Sequence, residues 1–133
     1  MTFRNRQSMA DPTVPLLRLC LVLAGLAGAL GAVFLAMSAH ANASPLLRTA
    51  AQMLLFHAPL FLGLGLLAQA RRVLLLPVTV ALLSLGLCLF SGDLLLRAFV
   101  EQRLFSMAAP IGGALVIAAW LALAIGALRV RPK

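Results

Sequence analysis

Charged residues are scarce in this 133-residue chain: they make up 11% of it, and only three of them are Asp or Glu. Ordinary proteins carry charge on about a quarter of their residues, so this chain has too few charges to cover a water-exposed surface. Hydrophobic residues reach 63% instead. This composition excludes a soluble enzyme, a disordered tail and a nucleic-acid-binding domain, and the excess of apolar side chains must face lipid.

Residues that could carry chemistry are equally few. The chain has two His and two Cys, and no nucleophile, base and acid stand in a recognisable arrangement. Cys20 and Cys88 fall at different depths of their helices, so we expect no disulfide, and neither has a metal-binding spacing to a histidine. The sequence therefore predicts no enzymatic activity, no metal site and no cofactor.

What the chain does contain is four long stretches without any Asp, Glu, Lys or Arg. Each is long enough for an α-helix to cross a hydrocarbon core of about 30 Å, which takes about 20 residues. None shows the alternation of a β-barrel strand, and we expect no strands. We predict an all-α integral membrane protein, a four-helix up-down-up-down bundle in a single domain over 1–133. The helices are expected at about 16–40, 45–70, 73–97 and 104–128.

Prolines mark some of the helix ends. Ser44 and Pro45 open the second helix as an N-cap followed by a proline at the first helical position. Pro110 lies inside the fourth apolar run, where it either kinks the helix or marks its true start.

The basic residues are distributed unevenly along the chain. If successive helices alternate in direction, the N-terminal segment, the second connection and the C-terminal tail share one side of the membrane. The positive-inside rule then places both termini on the cytoplasmic side of a bacterial inner membrane. That side carries Arg4, Arg6, Arg18, Arg71, Arg72, Arg129, Arg131 and Lys133, whereas the other carries Arg48, Arg97 and Arg103.

The same charges indicate partners. The arginines do not cluster on a face with interleaved aromatic side chains, as they do in nucleic-acid-binding domains, so we expect no nucleic acid. Anionic lipid headgroups are attracted by such charges. We therefore expect membrane lipids as partners, with a membrane-protein partner or a homo-oligomer as further alternatives.

The start of the chain also has features of a secretory signal. Ala41-Asn42-Ala43, before Ser44, is an A-x-A cleavage pattern. Signal peptides have an apolar region of about 7–15 residues, and the apolar run here is longer. We therefore predict that the first helix is retained as a membrane span.

Small residues at alternating spacings of three and four predict the packing faces, because close approach matters most between helices in lipid. Such seams can be read in the first, third and fourth helices. They comprise Gly25, Ala29, Ala32, Ala36 and Ala39, then Ala81, Ser84, Cys88 and Ser91, then Gly112, Ala119, Ala122 and Gly126.

Four polar residues form a candidate polar site. Counting residues along the helices puts His40 and Asp93 at the outer surface, Gln52 somewhat deeper and His57 close to the midplane. Ser91 completes this outer cluster. Ionisable groups at membrane depth are costly and are functional candidates by default.

Each of these residues also has a structural explanation. Asp93 and Arg97 have the i,i+4 spacing of a helical ion pair, and Arg97 and Glu101 repeat it. His57 either donates a hydrogen bond to a neighbouring helix, or titrates or binds a ligand. His40 either gives its helix a polar end or belongs to a site.

Short motifs along the spans carry a resemblance to a known family. Phe90-Ser91-Gly92 ends the third apolar stretch, and Pro110-Ile111-Gly112-Gly113 lies early in the fourth, followed by Trp120. The first half contains Ala39-His40 and His57-Ala58. In these motifs the chain resembles a family of small bacterial membrane proteins, domain of unknown function 423, which is related to transmembrane protein 256.

The sequence departs from that family's pattern in several places. Met37 and Ser38 replace a Phe-Gly pair, Phe56 replaces a tyrosine, Asp93 a serine and Ala109 a threonine. The resemblance implies a four-span protein of the cytoplasmic membrane and supplies no established reaction.

Two functions follow as hypotheses. The first is a non-enzymatic structural or helper subunit that binds lipid or a membrane partner, because packing surface is abundant and chemistry is scarce. The alternative is a small oligomeric transporter or channel subunit with a polar path near His57 and Asp93, which requires an oligomer because one four-helix protomer has little interior space.

Overall fold

A computed structural model describes residues 13–41 and 44–133. It contains four α-helices, each long and apolar enough to cross a membrane, so the predicted all-α membrane bundle is confirmed. Arg4 and Arg6, and two of the three residues of the cleavage-like pattern, lie outside the described residues. The helices are α1 (Pro15–His40), α2 (Pro45–Ala70), α3 (Leu76–Val100) and α4 (Ala108–Ala127).

Prolines stand at the beginning of three helices. Pro15 and Pro45 are the first residues of α1 and α2, and Pro77 is the second residue of α3. The first N–H groups of a helix have no partner inside it, so a residue without an N–H loses nothing there. The first turn is therefore a position where proline favours the start of a span.

The same chemistry corrects the predicted third helix. The sequence predicts 73–97, whereas the structure has Leu76–Val100. A helix starting at 73 would need a hydrogen bond from Pro77 to the carbonyl of Val73, and proline has no N–H to give. The chain instead turns through Leu75, which has a left-handed backbone with φ 67°.

The predicted fourth helix is corrected in the same way. The expected range is 104–128, whereas α4 begins at Ala108 and ends at Ala127. Pro110 lies in its first turn, where its missing N–H is tolerated. Of the two alternatives for Pro110, the start of the helix is therefore the correct one.

Two short strands pair with each other, although the sequence predicts no strands. β1 (Arg71–Arg72) follows α2, and β2 (Arg131–Pro132) lies in the C-terminal tail. The two are antiparallel, with Arg71 opposite Pro132 and Arg72 opposite Arg131. The pairing ties the tail to the connection between α2 and α3.

The four helices pack as two hairpins. Contact is most extensive between α1 and α2 and between α3 and α4, α2 and α3 join the hairpins, and α1 touches α3 only slightly. The hydrophobic core draws on all four helices, while many large apolar side chains face outward, as lipid contact requires. The core residues include Cys20, Phe61, Leu64, Leu83 and Val116.

The predicted packing seams are correct for α4 and wrong for α1. In α4, Gly112, Ala119 and Gly126 are buried. All five seam residues of α1 are exposed, and its buried residues are Cys20, Ala27 and Gly31. The α3 seam is mixed: Ser91 is buried and Ser84 half-buried, whereas Ala81 and Cys88 are exposed.

Candidate functional site

The four residues of the predicted polar site differ in exposure. His40 and Gln52 are exposed on α1 and α2, whereas His57 and Asp93 are buried in α2 and α3. In residues 13–41 and 44–133, no hydrogen bond or ion pair joins His40 or Gln52 to Asp93. The meeting of these four side chains in one site stays a prediction.

Asp93 stabilises the turn between α3 and α4. Its side chain is 2% exposed, and Oδ1 accepts a hydrogen bond of 2.9 Å from the backbone N–H of Leu104. Oδ2 lies 3.9 Å from Nη1 of Arg97, so the predicted i,i+4 ion pair is present. The repeat to Glu101 is not found among the described ion pairs, because Glu101 ends the helix with a left-handed backbone.

His57 is held by one hydrogen bond on each ring nitrogen. Nδ1 lies 2.7 Å from the carbonyl oxygen of Met53, and only a protonated Nδ1 can donate to that acceptor. The indole Nε1–H of Trp120 donates to Nε2 at 3.4 Å. Together these bonds define the neutral tautomer with its proton on Nδ1. The bond from Trp120 also links α4 to α2.

The family-like motifs of the second half pack against each other. A Cβ added to Gly112 would overlap the backbone N of Phe90 and would lie 2.8 Å from the carbonyl oxygen of Gly86. The backbones of α3 and α4 therefore touch, as small residues permit in membranes. Ser91 is buried beside this contact, and Gly92 and Gly113 are half-buried. Pro110 and Ile111 are exposed on the outer side of α4.

A groove of about 320 Å³ separates α1 from α3. On the α1 side it is lined by apolar residues, among them Leu26, Leu30 and Phe34, and Phe61 of α2 also lines it. The hydroxyl and thiol groups that line the groove belong to three small side chains of α3: Ser84, Cys88 and Ser91.

Ser91 is the unusual residue of this groove. The residue is 3% exposed, and its hydroxyl is the one buried side-chain polar atom of the described residues that has no hydrogen-bond partner. The Ser84 hydroxyl, in contrast, donates to the carbonyl of Val80 at 2.7 Å. An unpaired buried hydroxyl costs about 1–3 kcal/mol, so a hydrogen-bond partner for Ser91 would stabilise the protein.

A second cavity, of about 570 Å³, lies at the end of the bundle where the C-terminal tail meets the connection between α2 and α3. Its lining includes five cations, all of them exposed. We call this region the basic end, defined by Arg71, Arg72, Arg129, Arg131 and Lys133.

Two interactions of the candidate residues were missed from the sequence. The partner of Asp93 is a backbone N–H in a loop, and residue type carries no signal for it. The partner of His57 is Trp120, which lies 63 positions away. The available signal was that His57 and Trp120 lie at the same depth of α2 and α4, which run in the same direction.

The residues present do not suggest a metal centre. Among residues 13–41 and 44–133, no three His, Cys, Asp or Glu side chains lie close enough together to hold a metal ion. Both cysteines are free, with Cys20 buried and Cys88 exposed.

Comparison with known proteins gives a consistent result. A family model described as "protein of unknown function (DUF423)" matches residues 27–113. The chain is 32% identical over 106 residues to the UPF0382 inner membrane protein YgdD of Escherichia coli, covering 80% of this chain and 81% of that protein. The YgdD protein of Shigella flexneri matches equally well. The UPF0382 membrane protein SSP2132 of Staphylococcus saprophyticus is 41% identical over 49 residues, which cover 37% of this chain and 41% of that protein.

No solved structure matches the chain significantly. The matched range contains the motifs around His57, Ser91 and Gly112, and the expected resemblance is therefore confirmed.

Proposed function

The chain belongs to the DUF423 family of membrane proteins, whose function is unknown, and we propose that it is a non-enzymatic helper subunit of the bacterial inner membrane. In this proposal it binds a transmembrane helix of a partner protein in the groove between α1 and α3. Both termini face the cytoplasm, as the excess of basic residues at that end favours.

The state of the buried polar groups supports a role without catalysis. Asp93 already holds the Leu104 N–H and the Arg97 guanidinium. His57 has a partner on each ring nitrogen. Groups engaged in this way stabilise the bundle, and this supports the helper subunit over a transporter with a polar path near His57 and Asp93.

The observation that carries the proposal is the unpaired hydroxyl of Ser91 beside an open apolar groove. The hydrocarbon core contains no water to satisfy such a group. An acyl chain cannot accept or donate a hydrogen bond either. A protein helix supplies both an apolar surface and a polar side chain or carbonyl.

The shape of the groove also favours a helix. Ser84, Cys88 and Ser91 are small, and small residues let helix backbones approach closely in lipid. Less of α1 is buried than of any other helix, so the wall that α1 forms is free to accept a neighbour.

The position of Cys88 gives direct access to the groove. It is exposed, whereas Cys20 is fully buried, so a photoreactive benzophenone amino acid incorporated in place of Cys88 would lie in the groove. We expect illumination to join it to a transmembrane segment of another protein, with a polar residue opposite Ser91. Peptide mass spectrometry identifies that segment.

Two serine variants provide the critical control. Ser91→Ala should lower the yield of cross-linked partner about fivefold, since one buried hydrogen bond contributes about 1 kcal/mol. Ser84→Ala makes the same change on the same wall but removes a hydroxyl that is already bonded to Val80, so the yield should be unchanged. Adducts with lipid alone, or with a second copy of this chain alone, would contradict the proposal.

Orientation is tested separately. In a Cys88→Ser background, a cysteine placed at Lys133 should react with a membrane-impermeant maleimide only after the inner membrane is opened. Labelling in intact spheroplasts would reverse the proposed topology.

A further inference from the structure

The basic end combines cations with an apolar surface in one cavity. Beside its five cations, the cavity is lined by Val14, Leu16, Leu74 and Leu76. Val14 precedes α1, and Leu74 lies in the connection to α3, so these groups mark the level at which the spans leave the membrane. A phospholipid, with a charged headgroup above apolar acyl chains, has the same arrangement of charged and apolar groups as this cavity.

The cavity is held in place by backbone contacts. The pairing of β1 with β2 brings Arg131 back beside Arg72. A Cβ added to Gly126, near the end of α4, would overlap the carbonyl oxygen of Leu74, so the two backbones touch. The N–H of Val14 donates to Oε1 of Gln69 at 3.0 Å, which fixes the start of α1 to the end of α2.

The cations of the basic end have no acidic side chain beside them in the part of the chain that the structure describes. Among residues 13–41 and 44–133, no Asp or Glu lines the cavity, and the one ion pair lies at the other end of α3. Arg71 donates to the carbonyl of Ala70 at 3.2 Å, which does not neutralise it. Like charges held around one cavity repel each other, and an anion in the cavity removes that repulsion.

We propose that the basic end binds the phosphodiester headgroup of an anionic phospholipid. Arginine pairs with phosphate oxygens through two parallel hydrogen bonds, and basic pockets between membrane helices on the cytoplasmic side recognise lipid headgroups. The apolar lining favours a lipid over a free phosphate ion, because it contacts the acyl chains. This site is separate from the groove of the proposed partner helix and does not depend on it.

Lipid retention measures this binding directly. The full chain is extracted in mild detergent, mixed with phosphatidylglycerol or phosphatidylcholine, and examined by native mass spectrometry. We expect at least tenfold more phosphatidylglycerol than phosphatidylcholine to be retained. Replacing Arg72 and Arg131 by Gln should lower its retention about thirtyfold, since each cation near the membrane surface contributes about fivefold.

A matched variant separates a site from general charge attraction. Arg48→Gln with Arg103→Gln removes the same charge from exposed positions at the opposite end, and should leave retention within twofold of the wild type. Arg72→Lys with Arg131→Lys keeps the charge but loses the paired hydrogen bonds of the guanidinium, so retention should fall between that of the wild type and that of the Gln variant. Thermal unfolding of each variant checks that the bundle is intact.

Three results would overturn the proposal. The first is equal retention by the wild type and the Arg72→Gln, Arg131→Gln variant. The second is an equal loss in the matched variant at the opposite end. The third is displacement of phosphatidylglycerol by millimolar inorganic phosphate, which would make the basic end a site for free anions.

Discussion

The α3–α4 hairpin and the α1–α2 hairpin are held by different kinds of contact. Between α3 and α4, backbone meets backbone: Gly112 approaches the N of Phe90 and the carbonyl oxygen of Gly86. Between α1 and α2, backbone chiefly meets side chain. A Cβ on Gly31 would lie 2.7 Å from Cγ of Leu55.

A side chain can rotate away from an intruding atom, whereas a helix backbone cannot move without shifting the whole helix. The α3–α4 hairpin is therefore the rigid half of the bundle and the α1–α2 hairpin the adjustable half. The proposed partner groove lies beside α1, where adjustment costs least.

Gly112→Ala is the strongest test of the rigid half. The added Cβ has no space beside Phe90 and Gly86, so the free energy of unfolding should fall by about 3 kcal/mol, at the upper end for overpacking. Gly113→Ala is the control, because its Cβ would lie at an ordinary 3.7 Å from the Phe90 ring. Unfolding in mixed detergent micelles measures both. Equal values for the two variants would remove the distinction between the hairpins.

Asp93→Ala should have the next largest effect. It leaves the Leu104 N–H without its acceptor and breaks the ion pair with Arg97, at a cost of about 2 kcal/mol in the free energy of unfolding. Asp93→Asn retains an oxygen acceptor and should lose less than half as much. If Asn were as destabilising as Ala, the stabilisation would come from the charge and not from the turn.

Gly31→Ala tests the adjustable half. Leu55 can rotate, but the carbonyl oxygen of Ala51 would also lie 3.1 Å from the new Cβ, so we expect a loss of about 1 kcal/mol. Gly25→Ala is the matched control on the exposed side of α1, where nothing lies within 4 Å. It should be neutral or slightly stabilising. A loss for Gly31→Ala as large as that for Gly112→Ala would make the two hairpins equally rigid.

Trp120→Phe should have the smallest effect, because it removes one hydrogen bond between the hairpins. The donor to Nε2 of His57 is lost, and interhelical hydrogen bonds in membranes average about 0.6 kcal/mol. The imidazole resonances of His57 should shift with this variant and stay unchanged with Leu121→Phe, a change on the exposed side of α4. Unchanged resonances in Trp120→Phe would show that the bond is absent in the membrane.

The spans were predictable because, in such a chain, an uncharged stretch of about 20 residues has one physical explanation, a helix that crosses the membrane. The packing face of α1 was not, because nearly every residue of that helix is apolar or small. Gly25 and Gly31 look alike in sequence, yet one faces outward and the other is buried. Without polar contrast between its sides, a membrane helix gives no signal of which side meets protein.

The candidate site was predictable in its local part. The Asp93–Arg97 pair follows from spacing on one helix, and the structure contains it. The bonds from Leu104 to Asp93 and from Trp120 to His57 depend on how separate segments meet. Ser91 was a candidate because of its depth, but its lack of a partner depends on the groove, which only the packing of α1 and α3 creates.

The unequal lengths of the helices have a consequence for the bilayer. At 1.5 Å per residue, the 20 residues of α4 match a hydrocarbon thickness of about 30 Å, whereas α1 and α2 have 26 residues each. The longer helices must tilt or extend into the headgroup region. We therefore expect the loop after α3 at that level, with the exposed Leu104, Phe105 and Met107 available to contact the membrane surface. The shortest helix thus sets the bilayer thickness that this protein fits best.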